Sequence, residues 1–134
     1  MTAYAAMLDT NIVSHLIRVP DGPVRRRLVM LPTSACVSVV VACELRFGAK
    51  KVRSARLDAQ ISDIFRVVPV VPMDEGVIAH YAATRAHLER AGEPIGPTDL
   101  LIAAHALALD LTLVTANIRE FARVPGLRVE NWLD

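Results

Sequence analysis

Apolar residues along the chain recur in two rhythms. A short apolar run at 3–8 ends at Asp9, and Ile12, Val13, Leu16 and Ile17 follow at helical spacing, which predicts a strand running into a helix. Pro20, Gly22 and Pro23 interrupt the chain before a second helical stretch over 24–31, closed by Pro32. The β-branched run Val37–Val41 predicts a strand that feeds a helix through Glu44, Leu45 and Phe47, with Gly48 near its C-cap. Leu57, Ile61, Ile64 and Phe65 mark another helix, and Val67–Val71 a short strand that Pro69 and Pro72 keep at an edge. Asp74 stands where an N-cap is expected, ahead of a stripe of Val77, Ile78, Tyr81, Ala82, Arg85 and Leu88 that stops before Gly92 and Pro94. Pro97, Thr98 and Asp99 open a helix running to Leu109. A strand over 112–115, a short turn over 117–121 and a last strand over 127–129 complete the chain.

Strands alternating with helices predict βαβ units and an α/β fold: a central, mainly parallel sheet flanked by helices on both faces. The 134 residues contain no repeat, low-complexity tract or linker, so residues 1–134 read as a single domain. With 53% apolar residues, that domain should bury roughly two-thirds of its unfolded surface. Ligands of such sheets collect beyond the carboxyl ends of the strands. Asp9 and Thr115–Asn117 stand at ends of that kind.

Composition narrows the classes of function. No basic segment precedes a long apolar one, so neither a signal peptide nor a membrane span is predicted, and a cytoplasmic protein is expected. Cys36 and Cys43 form no paired metal-ligand pattern and read as buried free thiols. The net charge of +1 names no partner, but its distribution is uneven: residues 18–66 carry ten Lys or Arg against four acids, and residues 67–134 five against nine. The first block, with Arg25, Arg26, Arg27, Lys50, Lys51, Arg53 and Arg56, is either a solvated set of helix faces or a phosphate-contacting surface. Aromatics, at 4%, are too few for a stacking platform of the RRM or OB type.

Three acids border segments that should be buried. Asp9 ends Ala5–Leu8, Glu44 follows Val39–Cys43, and Asp99 precedes Leu100–Ala104, so each should be partly desolvated. An ionised carboxylate there is costly unless paired, hydrogen-bonded or bound to metal, and a divalent cation would also relieve repulsion among several. Asp9 and Asp99, at N1 or N2 of its helix, have a plainer reading as helix-terminal charges. Glu44 lies inside a helix, and its plain partner would be Arg46. The histidines show no HExxH pattern: His105 reads as a core or helix-face residue, and His15, His80 and His87 as surface residues. Oxygen ligands alone suit Mg²⁺ or Mn²⁺ better than zinc.

Taken together, Leu8–Asn11, Cys43–Ala49, Pro97–Asp99 leading into Ile102–Ala104, and Leu113–Asn117 leading into Phe121 resemble the four sequence blocks of PIN domains, in order. The closing Val124–Leu127 with Trp132 is similar to the end of VapC toxins. The resemblance implies a PIN-like fold and a Mg²⁺- or Mn²⁺-dependent endoribonuclease, the toxin of a type II toxin–antitoxin pair, hydrolysing RNA with a metal-activated water to leave 5′-phosphate and 3′-hydroxyl ends. It places Asp9, Glu44 and Asp99 at the metal and Asn117 at the fourth position, which is often Asp. It assigns Thr10, Asn11, Thr98 and Thr115 to holding those carboxylates or the substrate phosphate. Glu120 shares a helical face with Asn117 and could add a charge, although a solvated turn residue is its plainer reading.

The implied partners are a structured RNA such as tRNA, a VapB-like antitoxin and a second copy of the chain. One alternative stays open, a silent PIN-fold module that binds RNA or protein, which the missing fourth Asp permits. A receiver domain would need a late lysine, whereas the last is Lys51. A haloacid-dehalogenase-type phosphatase would need Asp where Asn11 stands.

Overall fold

The computed structural model describes residues 4–133, so position 3 of the expected first strand lies outside the described residues. The elements follow as β1 (Met7–Leu8), α1 (Thr10–Arg18), α2 (Pro23–Met30), β2 (Val37–Ser38), α3 (Val39–Lys51), α4 (Ala55–Val67), β3 (Val70–Val71), α5 (Val77–Arg90), α6 (Pro97–Ala108), β4 (Leu113–Val114), α7 (Ile118–Phe121) and β5 (Val129–Glu130). Every pairing among the described strands is parallel: β1 with β4, β4 with β5, and β2 with β3. A parallel bridge between Met7 and Cys36 joins the two groups into the order β3-β2-β1-β4-β5. Connections from β1 step towards β3, and the chain then crosses back to β4. With right-handed crossovers, that reversal places helices on both faces and leaves a crevice between the carboxyl ends of β1 and β4.

The side chains of β1, β2 and β4 are enclosed on both faces, whereas those of β3 and β5 are partly exposed. Met7, Leu8, Val37, Leu113 and Val114 are fully buried, and Ile12, Ile61, Ile102 and Phe121 pack around them. Cys36 lies in this core, where burial pushes its thiol up to about 12. Cys43 departs from expectation and is exposed, since it stands on the outer face of α3.

Several boundaries differ from the sequence reading. Val39–Val41 is helical, because the Ser38 hydroxyl accepts from the Val40 N–H (3.1 Å) and caps α3 directly after a two-residue strand. Val41, Leu45 and Ala49 then form the buried face at four-residue spacing. Gly48 lies inside that helix, which ends beyond Lys51 with Arg53 in the left-handed region at φ 54°. Val67 closes α4 rather than opening β3. Asp74 holds the turn ahead of α5 by accepting from the Gly76 N–H (2.8 Å), and Gly76 takes the cap position. The buried stripe of α5 is Val77, Thr84 and Leu88 with Tyr81 half-buried, whereas Ile78 is 67% exposed. Packing along α6 selects that face, and the apolar residues of α5 alone do not specify it. The last strand sits at Val129–Glu130, where it pairs with Leu113 and Val114.

Candidate functional site

Asp9 is the residue at which β1 becomes α1. Its main chain still belongs to the sheet, with its N–H donating to the Val114 carbonyl (2.8 Å), while its carboxylate caps the helix by accepting from the Thr10 N–H (2.8 Å). The side chain is almost wholly buried, at 4% exposure. Thr115, one residue beyond β4, donates its hydroxyl to Asp9 Oδ2 (2.8 Å), and the Asn11 amide donates to the same oxygen (3.4 Å). Asn11 Oδ1 accepts from the Ala116 N–H (3.0 Å), and the Asn117 N–H donates to Thr115 Oγ1 (3.0 Å). The Asp-Thr-Asn triplet and the Thr-Ala-Asn triplet therefore lock together across the crevice. Burial still dominates and raises the Asp9 pKa above its ordinary value, with the charges of Glu44 and Glu120 adding to it, while the Thr115 and Thr10 bonds act in the opposite sense.

Glu44 reaches this point from α3. Thr10 donates its hydroxyl to Glu44 Oε1 (2.7 Å), so the residue after Asp9 fixes the second carboxylate. Two expectations about Glu44 need correction. It is exposed rather than desolvated, because Val41 and Leu45 turn the opposite face of α3 to the core. Arg46 is not its partner, since that guanidinium binds Asp58 (2.9 Å) and Ser62 (3.0 Å) and lies over the Phe65 ring.

Asp99 is half-buried in the first turn of α6, third after the Gly96 cap rather than first or second. Its carboxyl is pushed up to about 7, first by burial, then by the charge of Glu120 and hydrogen bonding to it, and then by the charges of Asp9 and Glu44. Glu120 is therefore no solvated turn residue. One of its oxygens accepts from the Gly96 N–H (3.3 Å), the other accepts from the Asn117 side-chain amide, and the carboxylate faces Asp99. Asn117 is exposed, and Thr98 is half-buried with no side-chain hydrogen bond among the described residues. Sequence reasoning missed the Gly96 N–H, a backbone donor with no side-chain signature. It also missed the buried bond between Ser38 Oγ and His105 Nδ1 (2.7 Å), which ties the start of α3 to α6. His105 is a core residue with its pKa lowered by burial, whereas His15 is half-buried, with Nε2 shut off from solvent, and not the surface residue expected.

Asp9, Glu44, Asp99 and Glu120 thus lie within electrostatic reach of one another. Among the described residues, no three His, Cys, Asp or Glu side chains are grouped tightly enough to enclose an ion unaided. The donor chemistry nevertheless suits a hard divalent cation: the side chains gathered here offer oxygens only, and their mutual repulsion adds to burial in raising Asp99 and Asp9.

A parallel sheet with carboxylates gathered at its switch point defines an acidic-site α/β domain. Residues 6–127 match the family model for the PIN domain, and the chain belongs to that family. It is 39% identical over 127 residues to the tRNA(fMet)-specific endonuclease VapC of Shigella flexneri, covering 94% of this chain and 96% of that protein. It is 38% identical over 128 residues to Ribonuclease VapC2 of Haemophilus influenzae, with 95% and 97% covered. Among solved structures, VapBC2 from Rickettsia felis bound to a promoter DNA fragment superposes with a TM-score of 0.89 at 33% identity, covering 96% of this chain and 98% of that one.

Proposed function

We propose that this chain is a divalent-metal-dependent endoribonuclease, the toxin of a type II toxin–antitoxin pair, and that its substrate is a structured RNA of the tRNA class. The observation that carries the reading is the set of carboxylates at the β1/β4 crevice, where burial first, and then the charges of Glu120, Asp9 and Glu44, raise Asp99 to about 7. A binding module without chemistry would have no use for several acids gathered at one partly buried point. The names of the relatives support RNA as the substrate and a VapB-like antitoxin as the partner.

Asp9, Asp99 and Glu44 would hold Mg²⁺ or Mn²⁺, with Glu120 beside them and Asn117 at the family's fourth position. When bound, the cation supplies positive charge against the scissile phosphate and lowers the pKa of neighbouring water. Thr115, Thr10 and Asn11 orient the Asp9 carboxylate, and Thr10 at the same time fixes Glu44. Asp99, raised to about 7, has to lose its proton before it can act as an anion. Thr98 has a hydroxyl free of partners among the described residues, suited to a phosphate oxygen. A homodimer in the cytoplasm completes the reading. No helix among the described residues is long and apolar enough to cross a membrane.

Incubation of purified protein with tRNA and Mg²⁺ tests the proposal. Cleavage is expected with wild type and should fall by about a hundredfold or more in Asp99→Asn while the circular dichroism spectrum persists. A fully active Asp99→Asn protein would overturn it.

A further inference from the structure

The outer face of α3 carries a row of which the carboxylate site uses only the first residue. Glu44, Phe47, Gly48 and Lys51 fall at i, i+3, i+4 and i+7 and share one side of the helix. Val41, Leu45 and Ala49 occupy the buried side. Of the six aromatic residues, Phe121 and Trp132 are buried and Tyr4, Phe65 and Tyr81 half-buried, while Phe47 is 66% exposed. A Cβ added at Gly48 would meet nothing within 4 Å, so the surface beside the Phe47 ring is open. The row begins at a carboxylate bonded into the cleavage site and ends, about 10 Å further along the helix axis, at the exposed cations Lys50 and Lys51, with Arg53 just beyond.

An aromatic face set between a phosphate-handling site and a cluster of cations matches one ligand chemistry. Single-stranded nucleic acid presents a base for the ring and phosphates for the lysines, and stacking on an aromatic ring tolerates any base. Scarcity of aromatics excludes a multi-base platform, but one ring suffices for one base. Building on the ribonuclease reading, we infer that Phe47 stacks a nucleobase of the RNA strand next to the scissile phosphate, while Lys51 takes a phosphate further along. A second copy of the chain could cover the same ring, but the flanking charges, an acid on one side and cations on the other, favour a strand running along the helix.

The test uses the full-length protein and a single-stranded RNA oligonucleotide. In chelator, where cutting is suppressed, Phe47→Ala should weaken binding roughly five- to hundredfold. Phe47→Tyr and Phe47→Trp should restore it, and Phe47→Leu should not. The Trp introduced at 47 should be quenched by the oligonucleotide, against a background from Trp132, which is buried. With Mg²⁺, Phe47→Ala should raise KM and leave kcat and the sedimentation coefficient unchanged. Wild-type affinity in Phe47→Ala, full rescue by Leu, or a change in sedimentation that accounts for the lost affinity would overturn the inference. A wild-type protein that binds through Phe47 but cuts no RNA would instead overturn the ribonuclease reading and leave the stacking role standing.

Discussion

Asp99 carries the clearest electrostatic signature in the molecule. Its carboxyl is raised from an ordinary 3.8 to about 7, so the folded state holds a proton that the unfolded chain releases. A raised folded pKa contributes stability that is complete below the unfolded value and is lost as pH rises through the folded one. The metal-free protein should therefore lose stability between about pH 4 and 7, and the raised pKa of Asp9 acts in the same direction. Urea titrations in chelator at pH 5 and pH 8 check this, with greater stability expected at pH 5. Asp99→Asn should flatten the difference. Because burial lowers the His105 pKa and so acts in the opposite sense, the deciding comparison is between proteins: a pH difference that Asp99→Asn leaves unchanged would show the carboxylates to be decoupled. Asn117 sets a second test at this scale. Its amide donates to Glu120, so Asn117→Asp replaces a donor with another anion. Calorimetry should show Mn²⁺ binding strengthened in that variant, while its metal-free form becomes less stable at pH 8.

Elements were legible in the sequence where periodicity and punctuation agree. Pro23, Pro97 and the caps around them placed α2 and α6 within a residue or two, and Asp9 marked the end of β1. The failures share one cause: a polar side chain or a neighbouring element overruled a local preference. Val39–Val41 has strand propensity, but the Ser38 cap turns the chain into α3, and the face of α5 is chosen by α6. Glu120 was readable as a neighbour of Asn117, whereas its contact with Gly96 joins positions 24 apart and leaves no local trace. Ser38 performs two tasks at once, capping α3 and bonding His105 in the core. Ser38→Ala should therefore cost about 1–3 kcal/mol, more than a surface cap alone, because a buried imidazole nitrogen is also left without a partner. Chemical denaturation measures this, and Ser38→Thr should recover part of the loss. A loss below about 0.5 kcal/mol would mean that the buried bond contributes nothing net.

At the scale of the whole molecule, the sheet order β3-β2-β1-β4-β5 explains why the acids meet. The order reverses between β1 and β4, and the residues just beyond those two strands, Asp9 and Thr115, face each other across the gap. Charge is distributed on a similar plan, with basic residues over 18–66 and acids dominating beyond. Neutralising Lys50, Lys51 and Arg53 together should weaken RNA binding and reduce its salt dependence, by a slope of up to about 2 for three lost contacts to single-stranded phosphates. Binding measured across a salt series checks this, and an unchanged slope would assign the three cations to solvation.

The hydrogen bond between Thr115 and Asp9 also has a meaning in time. The two residues are 106 positions apart, and a ribosome adding roughly 5–20 residues per second separates their synthesis by about 5–20 s. Throughout that interval the first carboxylate exists without the strand that orients it. A chain stalled before β4 would contain Asp9, Glu44 and Asp99 and still lack a working site. On the proposed reading, a ribonuclease is thereby kept inactive until most of its own message has been read.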